Sequence, residues 1–217
     1  MTLIEKRVSK KGEMARRKIL EAAVDLFASR GHAGASIRDI EQRAGVNRGL
    51  ITHHFGTKDD LWKAAIDYAF QPYFDALQST IETLDGLNPS ARQRVIVEGF
   101  IRASAARPFM NQLMIQENYE PSWRSDWIME RFLLPAAQLN QKLGNDDPWL
   151  AAFESNPHIR YILLGACAMP FSLSSEAHAL FGVDVYERDF IDLHIETVLR
   201  MMQFLFHEPH SSPTIHV

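Results

Sequence analysis

Side chains with the chemistry of DNA contacts are concentrated between Ser36 and Lys58, in the stretch SIRDIEQRAGVNRGLITHHFGTK. Phosphate oxygens and base edges form hydrogen bonds with arginine, lysine, asparagine, histidine and hydroxyl groups. The types and spacing of these groups define a set of candidate DNA-contacting residues: Ser36, Arg38, Asn47, Arg48, Gly49, Thr52, His53, His54 and Lys58.

Two short helices joined by a tight turn are predicted to position these side chains. Ser36 can cap a first helix over 36–44, and Gly45 permits the positive φ that a turn requires. Asn47 is the predicted cap of a second helix over 48–54. This arrangement is a helix-turn-helix, in which the second helix enters the major groove.

Each candidate has an expected contact. Arg48 and Thr52 lie four residues apart and would share a helical face, beside Gly49 and His53. Arg48 is expected to donate to guanine, which is worth about 1–3 kcal/mol of discrimination, and Thr52 to contact a thymine methyl group or a phosphate. The expected phosphate contacts are Ser36, Arg38, Asn47, His54 and Lys58.

Structural roles compete with some of these assignments. His54 has the alternative of packing on the preceding helix. Arg38 and Arg43 have the alternative of solvated ion pairs with the nearby Asp39 and Glu41.

The rest of the chain predicts an all-α protein, with a three-helix N-terminal domain and a larger helical C-terminal domain for ligand binding and dimerisation. The predicted parts are a basic arm 1–12, a helix-turn-helix domain 13–57, a connecting helix 58–85, a helical domain 86–207 and a disordered tail 208–217. Pro72 is expected to kink or break the connecting helix, Pro135 to kink a helix over 122–143, and Pro170 to bend a helix over 158–180.

Charge and composition are consistent with a DNA-binding N-terminal part. Residues 1–65 carry 13 Lys and Arg against 8 Asp and Glu, whereas the remainder carries 10 against 19. A basic first third is expected to meet a polyanion. The single cysteine, Cys167, and the lack of a secretory or membrane-spanning pattern lead us to expect a cytoplasmic protein with no membrane partner.

Methionine and aromatic residues are frequent in the second half of the chain. Each is readily explained as core, but together they predict an apolar cavity for a small, largely hydrophobic ligand, with Asn111, Glu117 and Arg160 as candidate polar contacts. The predicted ligand-binding residues are Phe100, Met110, Met114, Trp123, Trp127, Tyr161 and Phe171. The last predicted helix, 187–206, has a wide apolar surface that we interpret as a dimer face; it comprises Phe190, Leu193, Ile195, Val198, Leu199, Met202 and Phe206.

Patterns typical of enzymes are missing from the sequence. It has no glycine-rich phosphate loop, nucleophile elbow or clustered metal ligands, so we expect no catalytic residue, metal or cofactor. Cys167 is expected to be a buried apolar residue, and His207, His210 and His216 are expected to be solvated. A helical adaptor that binds protein partners is the remaining alternative class.

The stretch from Ala23 to Trp62 resembles the N-terminal DNA-binding domain of TetR-type transcriptional repressors. The matching features are Leu26-Phe27 with Gly31, Ser36, Ala44-Gly45-Val46, His54-Phe55 and Lys58. Thr52 stands where the family usually has a tyrosine, so a different contact from Thr52 or His53 is expected.

The resemblance, which covers about residues 15–65, implies an all-α homodimer that binds a near-palindromic double-stranded operator. It implies dimerisation through the last two helices, and a small-molecule effector enclosed by the C-terminal helices. We therefore expect a ligand-responsive repressor, with a ligand-independent or activating regulator as the alternative.

Overall fold

The computed structural model describes residues 10–84, 86–143 and 147–207. The predicted tail 208–217 and most of the predicted arm 1–12 lie outside these ranges. The regular structure of the described residues is helical throughout, with no strand, which confirms the predicted all-α class.

The helices follow one another with short connections. In chain order they are α1 Lys10–Gly34, α2 Ile37–Ala44, α3 Leu50–Phe55, α4 Lys58–Thr83, α5 Pro89–Ala106, α6 Pro108–Glu117, α7 Trp123–Ile128, α8 Leu134–Leu143, α9 Pro148–Ser155, α10 Pro157–Ser172, α11 Ser174–Phe181 and α12 Arg188–His207. A π-helical turn, Met129–Leu133, lies between α7 and α8.

The described residues form two compact units. The first unit consists of 10–75 and 109–127, and the second consists of 76–108 and 128–207. The segment 109–127, which the sequence prediction assigned to the C-terminal domain, thus belongs to the unit that contains α1, α2 and α3. The five-part division predicted from the sequence stays a prediction.

The first unit is built on the apolar face of α1. Ile19, Ala23 and Phe27 recur at helical spacing and are fully buried, and α1 packs against α2. Trp62 on α4 is also fully buried, and its ring lies 5.3 Å from that of Trp123 and 5.7 Å from that of Trp127. These edge-to-face contacts fix the segment 109–127 in this unit.

The second unit has α5 and α10 at its centre. α5 begins at Pro89, with the Asn88 side chain accepting a hydrogen bond from Ala91 N at 3.0 Å. α5 packs against both α10 and α12, and α10 also packs against α9 and α11. Val97, Ile101 and Phe171 belong to the buried cluster that these helices share.

Several predicted helix interruptions differ from the structure. Pro72 lies inside α4, which continues to Thr83, because a proline removes only one main-chain donor and Phe70 and Ile81 stay buried on either side. Pro170 lies inside α10, and the single helix predicted over 158–180 is divided at Leu173 into α10 and α11. The helix predicted over 122–143 is divided by the π-helical turn, and α9 was not predicted.

Candidate nucleic-acid interface

α2 begins and ends as its sequence predicts. Ser36 has extended backbone angles, and its hydroxyl accepts a hydrogen bond from Asp39 N at 3.1 Å. Gly45 ends the helix with φ 64°, a conformation that costs glycine little because it has no Cβ. Local capping signals therefore determine the first helix of the motif.

α3 begins two residues later than predicted. Asn47 does not cap it with its side chain; Gly49, with φ 83° and ψ −4°, is the residue before the helix. A positive φ at Gly49 is incompatible with a right-handed helix, so Arg48 and Gly49 lie in the turn. The prediction that Arg48 and Thr52 share a face of one helix was therefore wrong, although both side chains are exposed.

Glu41 of α2 stabilises the turn before α3. Its side chain is only 6% exposed, and its Oε1 accepts a hydrogen bond from Gly49 N at 2.6 Å. Hydrogen bonds to an ionised acceptor are shorter and stronger than neutral ones. A buried acid on α2 thus sets where α3 begins, and this explains why the cap predicted at Asn47 is not formed.

α4 begins with a reciprocal cap. Asp60 N donates to the Thr57 hydroxyl at 3.1 Å, while the Thr57 hydroxyl donates to Asp60 Oδ2 at 2.6 Å. The hydrogen bonds that the Thr57 hydroxyl and the Thr57 main-chain N–H donate to the Asp60 carboxylate lower the pKa of Asp60. Lys58 follows the cap and is half-buried, so its position is fixed by the helix start that the sequence predicts.

The cations of the motif fall into two groups. Arg43 donates to Asp25 at 2.8 Å, and Arg30 lies 3.6 Å from Asp39. Arg38, Arg48 and Lys58 form no ion pair with any carboxylate of the described residues. The pairing predicted for Arg43 with its neighbours in α2 is replaced by an ion pair to α1.

The end of α3 contacts α1. The Arg16 guanidinium lies 5.3 Å from the centre of the Phe55 ring, and His54 is half-buried beside His53. Burial lowers the pKa of His54, and the charges of His53 and Arg16 lower it further. His54 is therefore neutral at neutral pH, which suits a hydrogen-bonding role better than charge pairing with phosphate.

The set of predicted DNA-contacting residues occupies three places in the first unit. Ser36 and Arg38 lie at the start of α2, the residues from Asn47 to Gly49 lie in the turn, and the remainder lie on α3 or at the start of α4. All are exposed or half-buried. Their role in binding DNA stays a prediction.

Sequence reasoning missed Glu41 and Arg16. An acidic residue beside the buried Ile40 is a signal for a buried hydrogen bond, since charged groups are seldom buried without a partner. Arg16 lies 39 residues before Phe55 in the sequence, and no local pattern connects them.

The predicted ligand-binding residues are divided between the two units. Met110, Met114, Trp123 and Trp127 lie in the first unit, whereas Phe100, Tyr161 and Phe171 lie in the second. Phe171 is fully buried, and Tyr161 is exposed. The structure does not gather these residues into one compact unit, so a shared ligand site stays a prediction.

The predicted dimer face requires a similar revision. Ile195, Val198, Leu199 and Met202 are buried in the core of the second unit, so their own chain already covers them. Leu193 is 68% exposed on the same helix. Phe190 and Phe206 are half-buried against the core.

Cys167 and the potential metal ligands lie in settings that the structure defines. Cys167 is buried, and burial raises the pKa of its thiol to about 12, which makes it unreactive near neutral pH. Within the described ranges, His, Cys, Asp and Glu side chains do not form a cluster with metal-binding geometry. None of the described helices is long and apolar enough to cross a membrane.

Comparison with known proteins identifies the class of the first unit. Residues 19–65 match the TetR_N family model, which describes bacterial regulatory proteins of the tetR family. The N-terminal helix-turn-helix domain of this chain belongs to the tetR family of bacterial regulatory proteins, which confirms the resemblance seen in the sequence.

Sequence matches to individual relatives extend beyond this domain but cover neither this chain nor the relative in full. The HTH-type transcriptional repressor Rv3405c of Mycobacterium tuberculosis is 36% identical over 113 residues, or 50% of this chain and 60% of that protein. The repressor KstR2 of the same species is 35% identical over 85 residues, or 37% of this chain and 42% of that protein. The chain therefore spans less than two thirds of these relatives.

Solved structures share the fold over most of the chain. A TetR-like transcriptional regulator from Rhodococcus sp. RHA1 has a TM-score of 0.58 at 16% identity and covers 89% of this chain and 97% of its own. The regulator FadR from Bacillus halodurans has a TM-score of 0.58 at 15% identity, with 85% and 94% covered. At these identities, the similarity establishes the fold alone.

Proposed function

We propose that this protein is a DNA-binding transcriptional regulator that represses from a palindromic operator. The observation that carries the proposal is the exposed surface of the helix-turn-helix, where Arg38 and Arg48 have no carboxylate partner within the described residues. Guanidinium groups left open on such a motif suit phosphate oxygens and guanine edges. The two relatives named above are both repressors, which supports the same proposal.

The motif suggests a division of labour on DNA. α3 would enter the major groove with Thr52 and His53, while Arg48 would reach DNA from the turn before it. Ser36, Arg38 and Lys58 lie at or near helix starts, where main-chain N–H groups also favour phosphate. Because Glu41 fixes Gly49, the angle at which α3 leaves the turn is fixed before DNA binds.

A homodimer is part of the proposal, because a palindromic operator requires two copies of the motif. Exposed apolar side chains support it on the last two helices, at Leu180 and Phe181 of α11 and at Leu193 and Phe204 of α12. Leu193 and Phe204 are eleven residues apart, which places them on one face of α12. Such residues are candidates for burial against a second copy.

We also propose that a small, largely apolar effector releases the operator. The half-buried Phe100, Phe153 and Phe190 beside the core of the second unit support this assignment. An effector acts only if it binds the DNA-competent form and the released form with different affinity. A metabolite panel that leaves operator affinity unchanged would remove this part of the proposal and leave DNA binding intact.

The decisive experiment is fluorescence anisotropy with duplex DNA taken from the region flanking the coding sequence, at several salt concentrations. Changing Arg38 and Arg48 together to alanine should weaken operator binding roughly 100-fold, because one base contact and one phosphate contact are lost. If both arginines contact phosphate, the salt slope should instead fall by about 2.

The second unit offers a matched control. Arg94 and Arg102 are also exposed, but Arg94 donates to Glu196 at 2.6 Å and Arg102 donates to Asp192 at 2.7 Å. Changing both to alanine should leave operator affinity unchanged. Equal losses from the two double variants, or salt-independent binding, would contradict the proposed interface.

A further inference from the structure

A depression in the first unit lies between the end of α1 and the end of α6. Its volume is about 460 Å³, within the range of roughly 300–1,000 Å³ that is typical of small-molecule sites. Gly31, with φ 70°, interrupts α1 at one wall, and the segment from Ile115 to Arg124 supplies the other wall. The proposed DNA contacts do not use this part of the unit.

Glu117 is the most buried acid in this depression. Its side chain is only 2% exposed, and its Oε2 accepts a hydrogen bond from Arg124 Nε at 2.6 Å. Its Oε1 is buried and receives no hydrogen bond from any described residue. A buried carboxylate oxygen without a donor is costly, so this atom favours a ligand that brings an N–H group.

The other charged side chains of the depression indicate which sign of charge the ligand carries. Both arginines already have partners, since Arg30 lies 3.6 Å from Asp39 and Arg124 is bonded to Glu117. Glu120, also in the wall, forms no ion pair within the described part of the chain. The acceptors that remain open are therefore carboxylate oxygens, which favour a cation.

His32 adds no positive charge that would oppose a cation. Its Nε2 lies 2.9 Å from Asp59 Oδ1, and it faces Lys58 and Arg124 from α4 and the segment after α6. Burial lowers the pKa of His32, the positive charges of Lys58 and Arg124 lower it further, and Asp59 opposes the shift. The imidazole is therefore neutral at neutral pH.

Apolar side chains at the mouth of the depression complete its chemistry. Tyr119 is 85% exposed, and Ile115 is exposed on the last turn of α6. An exposed tyrosine ring beside open carboxylates attracts a cation through its face and packs against a flat or aliphatic group.

We propose that this depression binds a small organic ammonium ion, whose N–H groups donate to Glu117 and Glu120 and whose apolar part packs against Tyr119 and Ile115. This site is separate from the apolar effector of the proposed function. It does not require DNA binding, so its test stands if the regulator assignment fails.

Tryptophan fluorescence of the full chain is the direct assay. The Trp123 ring lies 5.8 Å from the Arg124 guanidinium and 6.1 Å from the His32 ring, so it reports on the depression. Titration with 2-phenylethylammonium should give a saturable change with a Kd on the order of 1 mM. Neutral 2-phenylethanol and anionic 3-phenylpropionate, of nearly the same shape, should bind at least about tenfold more weakly.

Two variants test the contributions of the Glu117 carboxylate and the Tyr119 ring to binding. Glu117→Gln should weaken 2-phenylethylammonium binding roughly tenfold, and Tyr119→Ala, at an exposed position that should not disturb folding, should weaken it roughly threefold. Glu98→Gln changes a half-buried carboxylate of the second unit, which accepts a hydrogen bond from Arg102, and should bind 2-phenylethylammonium as the unaltered chain does. Equal binding of the alcohol, unchanged binding by the Tyr119 variant, or no saturable change up to about 20 mM would each overturn the proposal.

Discussion

The two compact units differ in which of their exposed arginines have carboxylate partners. In the second unit, exposed arginines bridge neighbouring helices: Arg94 and Arg102 of α5 form hydrogen bonds with Glu196 and Asp192 of α12. These bonds raise the pKa values of both guanidinium groups. In the first unit, Arg38 is exposed and has no carboxylate partner within the described residues.

This difference shows that the number of basic residues matters less than where their partners lie. Exposed ion pairs add little to stability, but they neutralise the surface that carries them. Arg94 and Arg102 of the second unit are thereby neutralised, whereas Arg38, Arg48 and Lys58 of the helix-turn-helix stay available to a polyanion. The comparison separates a unit suited to DNA from one suited to protein contacts, and three experiments test that separation.

The largest effect is expected from charge placed on the exposed face of α12. Leu193 and Phe204 are 68% and 59% exposed. Changing both to glutamate should abolish self-association and weaken operator binding by roughly 100-fold or more, because the two motifs then bind independently. Sedimentation velocity measures the association, and anisotropy measures the affinity.

The matched control lies on another helix of the same unit. Leu134, at the start of α8, is an exposed apolar residue that the proposed dimer does not use. Leu134→Glu should leave both association and operator affinity unchanged. If Leu134→Glu dissociates the protein and the α12 variant does not, the dimer interface does not lie on α11 and α12.

An intermediate effect is expected from Glu41, whose side chain accepts a hydrogen bond from Gly49 in the turn before α3. Glu41→Ala leaves Gly49 N without its acceptor and should cost about 1–3 kcal/mol of unfolding free energy and roughly tenfold in operator affinity. Glu41→Gln keeps an acceptor and should lose less of both. Urea unfolding and anisotropy measure the two effects.

Amide exchange distinguishes positioning from general destabilisation. In Glu41→Ala, the Gly49 amide should lose protection more than the amides of α1 do, because among the described residues Gly49 alone donates to this carboxylate. Uniform loss of protection across the first unit would mean that Glu41 stabilises the fold without setting the turn.

The outcome for the first unit shows which features a sequence can predict. Ser36, Gly45 and Thr57 act within three residues of their partners, so their types and spacing were sufficient. The start of α3 depends on Glu41, eight residues before Gly49, and on a burial that no local pattern encodes. The cap predicted at Asn47 is therefore absent, and the hydrogen bond from Gly49 N to Glu41 determines the helix start in its place.

The second unit shows a different limit. Helical periodicity correctly placed Val198, Leu199 and Met202 on one apolar stripe of the last helix. Periodicity does not say whether an apolar stripe packs against its own chain or another, and here α5 and α10 cover it. The same limit affected Trp123, which packs against Trp62 of the first unit and not within the predicted C-terminal domain.

The smallest effect is expected on the pH dependence of stability, to which one buried histidine of each unit contributes. Burial lowers the pKa values of His32 in the first unit and His194 in the second, where the His194 Nε2 contacts Ala166 O at 2.9 Å. Each stays neutral in the folded state while the unfolded chain protonates near pH 6.5. Stability is therefore full above pH 6.5 and is lost as the pH falls through the lowered folded pKa values. The urea midpoint should decrease as the pH falls from about 7.5 to about 5.5. His32→Gln and His194→Gln should each make the midpoint depend less on pH. If both variants keep the full pH dependence, that dependence comes from other groups.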